Sequence, residues 1–270
     1  MRPLLPTRRL ALLALSACAL AHTPLHAQST DYPNKPVRFI NAWAPGGPAD
    51  VLARSLGDAL QTQLKQPFIT ENKPGAAGNI GADMVAKSPA DGYTVMFGID
   101  TTFTINPHIY PTMPFKPGDL KPLMVLASSG MMVVAHPSTG FKSLSDMVAA
   151  GKAKGVNFSS AGSGSPGHLA AEILGDATGM KIQHIPYKGN TPASTAVLAG
   201  EVDGGVLAAT TMLQHIKAGK ITALAVTSRQ RSKAAPDVPT VMEAGYPQLV
   251  QEILYMAMVP AATPEPVMQI

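Results

Sequence analysis

Apolar stretches of strand length alternate along this chain with segments in which apolar residues recur at helical spacing. Strands are predicted over residues 37–43, 66–71, 93–99, 123–127, 131–135, 181–187, 202–208, 221–227 and 253–259. Helices are predicted over residues 49–64, 144–154, 192–199 and 212–218, with another ending near residue 87. The inward face of the first helix is expected to carry Val51, Leu52, Leu56 and Leu60. This alternation is typical of an α/β fold with parallel sheets flanked by helices.

Two segments share a design in which a strand leads through a loop of small residues into a helix. Residues 156–175 read VNFSSAGSGSPGHLAAEILG, and residues 37–57 read VRFINAWAPGGPADVLARSLG. Such a unit points free backbone N–H groups and the positive end of a helix dipole at one place, which favours an anion. Two such loops, without an evident catalytic set, predict a protein that binds a small acid.

Four side chains in these two loops are candidates for contact with the acid. Ser163 and Ser165 carry hydroxyls that suit a carboxylate. Asp50 and His168 lie in the first turns of the two predicted helices. A residue at such a position either stabilises the helix start or contacts a ligand, and the sequence leaves both alternatives open.

Motifs for other kinds of site are incomplete or missing. Residues 162–167 match G-x-G-x-x-G, but the next strand ends without the acidic residue that a dinucleotide site needs. No G-x-S-x-G, H-E-x-x-H or P-loop occurs, and the seven histidines lack metal-ligand spacing. We therefore expect no catalytic residue, metal or cofactor. The alternative is an exported α/β hydrolase-like enzyme that uses Ser163 or Ser165 with His168.

The first 27 residues have the features of a signal peptide. Arg8 and Arg9 precede an apolar run at 10–21, and the small residue Ala27 suits cleavage before Gln28. We expect export to the periplasm. The single cysteine, Cys18, ends the stretch LSAC, which resembles a lipoprotein cleavage box, so lipid anchoring there is an alternative.

The formal net charge of +4 belongs mostly to this leader. Without Arg2, Arg8 and Arg9 the chain has 18 basic and 17 acidic side chains. A nearly neutral body gives no support for nucleic-acid binding. At the other end, residues 263–266 read TPEP and predict a helix start, yet the chain stops four residues later. We expect a C-terminal segment to be missing.

A series of short motifs resembles the Bug family, the extracytoplasmic receptors of tripartite tricarboxylate transporters. In chain order, and from about residue 32 to the end, the motifs are WAPGGPADVLAR at 43–54, ENKPGAAGNIG at 71–81, DGY at 91–93, INP at 105–107, IPYKG at 185–189, LAVTS at 224–228 and PDVPTVMEAG at 236–245. Seven matches in order are far more specific than any single motif.

The resemblance implies an α/β, two-lobed type II periplasmic-binding-protein fold with the ligand in the cleft between the lobes. Lobe 1 would comprise residues 28–127 and 229–270, and lobe 2 residues 128–228. In this family two loops clamp a carboxylate with backbone N–H groups, hydroxyls and ordered water, and by position these loops are 44–50 and 161–168. With the segment after strand 93–99, the expected ligand-binding residues are Ala44, Gly46, Gly47, Asp50, Asp100, Thr101, Ser163, Gly164, Ser165 and His168.

The implied function is capture of a small carboxylic acid and its delivery to integral-membrane transporter subunits by a monomeric receptor. A ligand-sensing subunit of a two-component system would have the same sequence features. Residues 204–210 carry no acid to meet an ammonium group, so an amino-acid ligand is disfavoured. Asp100 follows a strand end, where ligands of α/β sheets bind, and its charge would repel a second carboxylate unless Asp100 is protonated or paired.

Overall fold

A computed structural model describes residues 32–270. The predicted signal peptide, including Cys18, lies outside the described residues. Within them the strands are β1 (Val37–Asn41), β2 (Phe68–Asn72), β3 (Thr94–Ile99), β4 (Leu120–Ala135), β5 (Val156–Ser160), β6 (Ile182–Pro186), β7 (Gly204–Ala208), β8 (Thr222–Val226) and β9 (Glu252–Pro260).

The helices predicted from the sequence lie close to their predicted positions, and two short helices at residues 101–104 and 106–109 are additional. The α-helices are α1 (Pro48–Leu64), α2 (Asn79–Ala86), α3 (Thr101–Thr104), α4 (Asn106–Ile109), α5 (Leu144–Lys154), α6 (Pro166–Thr178), α7 (Asn190–Leu198), α8 (Ala209–Lys217) and α9 (Glu265–Met268). The α/β class predicted from the alternation is therefore observed.

One long strand takes part in both of the sheets that the chain forms. The first sheet has the order β2–β1–β3–β9–β4, and the second continues from β4 through β7 and β5 to β6, with β8 on the other side of β4. Residues 120–130 of β4 pair with β9, whereas residues 131–135 pair with β7 and β8. The two strands predicted at 123–127 and 131–135 are thus one strand of 16 residues.

The prediction of purely parallel sheets is wrong for the middle of the structure. β1 pairs in parallel with β2 and β3, and β5 with β6 and β7. β4 and β9 instead run antiparallel to each other and to the strands beside them. The sheets are therefore mixed, with parallel pairing in β2–β1–β3 and β6–β5–β7 and antiparallel pairing at β4 and β9.

The inward face of α1 differs from the predicted one. Val51 is 56% exposed, while Ala49, Ala53 and Gly57 are buried. A Cβ at Gly57 would lie only 3.3 Å from Phe68 Cβ, so the helix approaches the sheet through its smallest residues. The predicted leucines lie at the sides of this contact and are partly buried.

The two sheets are joined at a crossing point formed by Met131, Thr227 and Gln251. The backbone N–H of Met131 donates to Thr227 Oγ1 at 2.8 Å, and this hydroxyl donates to the Gln251 carbonyl at 2.7 Å. Backbone bonds also run from Thr227 N to Met131 O and from Gln251 N to Thr227 O, both at 2.9 Å. One buried threonine therefore ties three segments together. The exact bounds of the two lobes stay a prediction.

Replacing Thr227 with valine tests the crossing point. Valine keeps the β-branched shape but leaves the Met131 N–H and the Gln251 carbonyl with fewer partners. A buried polar group without its partner costs about 1–3 kcal/mol, so we expect the free energy of unfolding to fall by that amount. Urea denaturation measures it. Thr62→Val, at an exposed position of α1, is the matched control and should change stability by less than about 0.5 kcal/mol. Equal effects of the two changes would contradict this role.

Candidate functional site

Two adjoining cavities lie where the first and second sheets face each other, and Trp43 and Ala161 line both. One of them, called the inner cavity because most of its lining residues are buried, holds about 460 Å³ of space free of protein atoms, part of it open to solvent. The other, the outer cavity, holds about 640 Å³. The chemistry of the cavity walls decides what the site can bind.

One wall of the inner cavity consists of the N-termini of helices that pack on the two sheets. Gly47, Pro48 and Ala49 begin α1, Pro166 and Gly167 begin α6, and Asn190 and Ala208 lie at the starts of α7 and α8. The first-turn N–H groups of a helix have no intrahelical partner. Proline at the first position of α1 and α6 costs nothing there, because that N–H would be unpaired anyway. This wall therefore presents N–H donors and positive dipole ends, the chemistry of an anion site.

The loop before α1 is shaped by the buried carboxylate of Asp50. Its Oδ2 accepts the backbone N–H of Gly46 at 2.9 Å and Arg54 Nε at 3.1 Å, and its Oδ1 accepts Asn72 Nδ2 at 2.8 Å. Burial alone would raise the pKa of Asp50, but the bonds from Arg54, Gly46 and Asn72 outweigh it and lower the pKa below its usual value. Asp50 therefore stays ionised, with both oxygens engaged in holding the loop.

The loop before α6 is held in the same manner by His168. The Gly164 N–H donates to His168 Nδ1 at 3.2 Å, and the His168 N–H donates to the fully buried Ser165 Oγ at 3.4 Å. Ser165 is thus the N-cap of α6. The exposed Ser163 offers its carbonyl to the Tyr110 hydroxyl at 3.0 Å. In this arrangement the His168 ring accepts a backbone N–H and is not placed as a base for either serine.

A second histidine supports this loop from behind. The rings of His168 and His184 stack with centroids 4.0 Å apart, and His184 Nε2 lies 2.6 Å from Ser160 Oγ. Ser160 Oγ in turn donates to the Gly162 carbonyl at 3.1 Å. Burial, and next the neighbouring His168, lower the pKa of His184 to about 4. Sequence reasoning missed Ser160 and His184, because only the pairing of β5 with β6 brings them together.

The outer cavity has a wall of strained backbone. Ala76 and Ala77 have φ values of 46° and 49°, in the left-handed region that residues with a Cβ rarely adopt. Thr102 Oγ1 and Asn106 Nδ2 both donate to the Ala77 carbonyl at 3.0 Å and hold it there. Strain of this kind persists only where the surroundings impose it, and it is frequent at binding sites. The exposed side of the same cavity carries Lys188.

The predicted site residues fall into three groups. Ala44 and Gly47 line the inner cavity and Ser163 lines the outer one. The residues that fix the shapes of the two loops are Gly46, Asp50, Gly164, Ser165 and His168. Asp100 and Thr101 line neither cavity. Direct contact of any of these ten residues with a ligand stays a prediction.

Asp100 connects the end of β3 to β9. Its Oδ1 accepts the Leu254 N–H at 3.2 Å, and its own N–H donates to the Leu254 carbonyl at 3.1 Å. Burial raises the pKa of this carboxyl. Thr101 is buried, and its hydroxyl has no partner within residues 32–270. The side chains that line the cavity near Asp100 are instead Ile99 and Tyr255.

His184 gives the protein a measurable pH dependence. Because its pKa is about 4 in the folded state and about 6.5 in an unfolded chain, the unfolded chain binds more protons between these values. We therefore expect the stability to fall as the pH drops from about 6.5 to about 4. His184→Gln should lose this part of the pH dependence, as measured by the melting temperature across that range.

The control for this experiment is His108→Gln, which removes an exposed histidine and leaves His184 in place. It should keep the wild-type pH profile of the melting temperature. Identical profiles for wild type and His184→Gln would contradict the role given to His184.

Across residues 32–270 the structure contains no group of three or more histidine, cysteine or acidic side chains that could hold a metal ion. Among the helices of the same residues, none combines the length and apolar character required to cross a bilayer.

Comparison with known proteins gives consistent matches over most of the chain. Residues 52–270 match the family described as "Tripartite tricarboxylate transporter family receptor". Protein BugT of Bordetella pertussis (strain Tohama I) is 36% identical over 262 residues, which cover 95% of this chain and 80% of BugT. The structure of the periplasmic binding protein BugD is 32% identical with a TM-score of 0.83, over 88% of this chain and 80% of that one.

A further structure, R. palustris Rpa4515 with adipate, is 30% identical with a TM-score of 0.85, over 88% of this chain and 81% of that one. These matches confirm both the Bug-family resemblance and the two-lobed type II periplasmic-binding-protein fold. The chain belongs to the family of tripartite tricarboxylate transporter receptors.

Proposed function

We propose that this receptor captures a small carboxylic acid in the periplasm, without catalysing a reaction, and delivers it to the integral-membrane subunits of a tripartite transporter. The observation that carries the proposal is the wall of the inner cavity, where α1 and α6 direct their N-termini into one space. A carboxylate is the anion of a size that such a pair of helix starts accommodates. The relative Rpa4515, whose structure contains adipate, supports this ligand class.

The carboxylate would lie between the start of α1 and the start of α6. The Ala49 and Gly167 N–H groups are its expected donors, with Ala44 and Gly47 forming the floor beside them. Gly46, Asp50, Gly164, Ser165 and His168 would act indirectly by keeping the two loops in shape before the ligand arrives. Such preorganisation lowers the cost of ordering the site on binding.

Contacts between each of the two loops and the predicted lobe across the cleft would keep the cleft closed over the ligand. The Thr191 hydroxyl donates to the Pro45 carbonyl at 3.1 Å, and the Tyr110 hydroxyl donates to the Ser163 carbonyl at 3.0 Å. Both bonds link residues far apart in sequence, and Tyr110 and Ser163 line the outer cavity. A ligand that bridges the same two loops binds the closed form better than an open one and shifts the population towards it.

The cavity also favours an acid without an amine. An ammonium group requires a carboxylate or several acceptors near the ligand, and no acidic side chain is among the described residues that line the inner cavity. The nearby Asp100 is occupied by the Leu254 N–H. We therefore place amino acids outside the ligand class.

Ala161→Leu tests the assignment of the site. Ala161 lines both cavities, so a larger side chain there should occupy ligand space. In wild type, a bound acid at about 100 times its Kd should add about 2.7 kcal/mol of stability, visible as a raised melting temperature. In the variant this shift should vanish while the unliganded protein still melts cooperatively.

The control variant is Ala59→Leu, which adds the same side chain at an exposed position of α1. It should bind like wild type. Trp43 is the only tryptophan of the chain and lines both cavities, so its fluorescence provides an independent titration. If no mono-, di- or tricarboxylate, aromatic acid or amino acid changes either signal, the receptor function proposed here is wrong for this chain.

A further inference from the structure

The wall of the inner cavity beside the helix starts is apolar. It is formed by Ile99 of β3, Met131 of β4, and Ile253 and Tyr255 of β9. All four side chains are at most 5% exposed. The inner cavity is therefore amphipathic, with N–H donors on one side and hydrocarbon and an aromatic ring on the other.

Three side chains with a polar atom line this cavity, namely Trp43, Asn190 and Tyr255, and only the amide of Asn190 has both of its polar atoms bonded within residues 32–270. The indole N–H of Trp43 is buried and has no hydrogen-bond partner within the same residues. Asn190 donates through Nδ2 to Thr211 Oγ1 at 2.6 Å and accepts the Ala208 N–H through Oδ1 at 3.0 Å, so its amide holds the loop between β7 and α8. Burial, together with the charge of Asp100, raises the pKa of Tyr255, which keeps its hydroxyl protonated. Within residues 32–270, no lysine or arginine lines the inner cavity.

The electrostatic environment of the apolar wall disfavours a second negative charge. An ionised carboxylate loses its hydration on burial and needs a cation or several hydrogen bonds in return. The acidic side chain next to this wall is Asp100, whose Oδ1 accepts the N–H of Leu254, the residue between Ile253 and Tyr255. The lysine of the cleft, Lys188, lies at the outer cavity instead.

We infer that the ligand is a monocarboxylate with an apolar aliphatic or aromatic body. Its carboxylate lies at the starts of α1 and α6, and its body packs against Ile99, Met131, Ile253 and Tyr255. This inference rests on the proposed function, because it takes the carboxylate position from the clamp. It separates this chain from its relative Rpa4515, whose structure contains the dicarboxylate adipate.

The decisive experiment compares hexanoate with adipate, which share a six-carbon chain and differ by one terminal carboxylate. Titration of the Trp43 fluorescence, with calorimetry as a second readout, is carried out near neutral pH, where both acids are ionised. We expect hexanoate to bind at least about 100-fold more tightly than adipate. From propionate to hexanoate the affinity should rise about fourfold per methylene, the value for burying one CH₂. Benzoate and terephthalate form a rigid pair for the same comparison.

Two variants examine the apolar wall directly. Ile253→Lys places a cation in the wall and should reverse the preference towards adipate. Ile69→Lys adds the same cation at an exposed position of β2 and should leave the preference unchanged. Tyr255→Phe keeps the ring and removes the hydroxyl, so hexanoate affinity should change by less than about threefold. If Ile253→Lys fails to fold by circular dichroism, the wild-type ligand pairs and Tyr255→Phe still decide the question.

The possible results separate this inference from the proposed function. If adipate, a tricarboxylate or an amino acid binds more tightly than the monocarboxylates, the inference is overturned and the receptor function stands. The same holds if Tyr255→Phe abolishes hexanoate binding, since the hydroxyl would then recognise the ligand. If no acid of any class binds, both proposals fail.

Discussion

The unpaired N–H groups at the starts of α1 and α6 are the constraint on which the site depends. Each helix must begin at the cavity, and its first residues must leave the N–H groups uncovered. Gly167 shows what this requires, because a Cβ there would collide with the Val206 carbonyl of β7. Only glycine lets the start of α6 lie directly on the strand. The position of the helix ends, and with it the chemistry of the cavity, therefore follows from close packing of small residues on the sheets.

The two loops keep their shape through the same kind of hydrogen bond. In each, a side chain of the first helical turn accepts the N–H of a glycine four residues earlier: Asp50 from Gly46 and His168 from Gly164. The acceptors differ, yet both fix the loop without using the donors that face the cavity. The charge of Asp50 is balanced by Arg54, whose guanidinium lies 3.0 Å from Oδ1, so it does not oppose a bound anion. From the sequence alone, Asp50 and His168 either stabilise a helix start or contact a ligand. In the structure both side chains support their loops.

Features that depend on neighbouring residues were predictable, and features that depend on distant pairing were not. Local periodicity predicts most strands and helices, and the two loops of small residues are observed where the sequence places them, directly before α1 and α6. The antiparallel course of β4 and β9 is not encoded in either strand. This antiparallel pairing places Tyr255 opposite Ile99, which lies 156 positions earlier in the sequence, and so builds the apolar wall. For the same reason Asp100, which was expected to bind the ligand, pairs with Leu254.

The apolar wall and the crossing point use the same strands, which connects ligand shape to closure of the cleft. Met131 contributes its side chain to the wall and its N–H to Thr227, and Ile253 follows two residues after Gln251. A ligand body packed on Met131 and Ile253 therefore touches the segments that join the two sheets, while its carboxylate reaches helix starts from both. A ligand with only one of these parts stabilises the closed form through one set of contacts. A ligand with both parts stabilises the closed form through two sets of contacts. Because a ligand shifts the population according to the difference between its affinities for the closed and the open form, such a ligand gives the largest fraction of closed receptor.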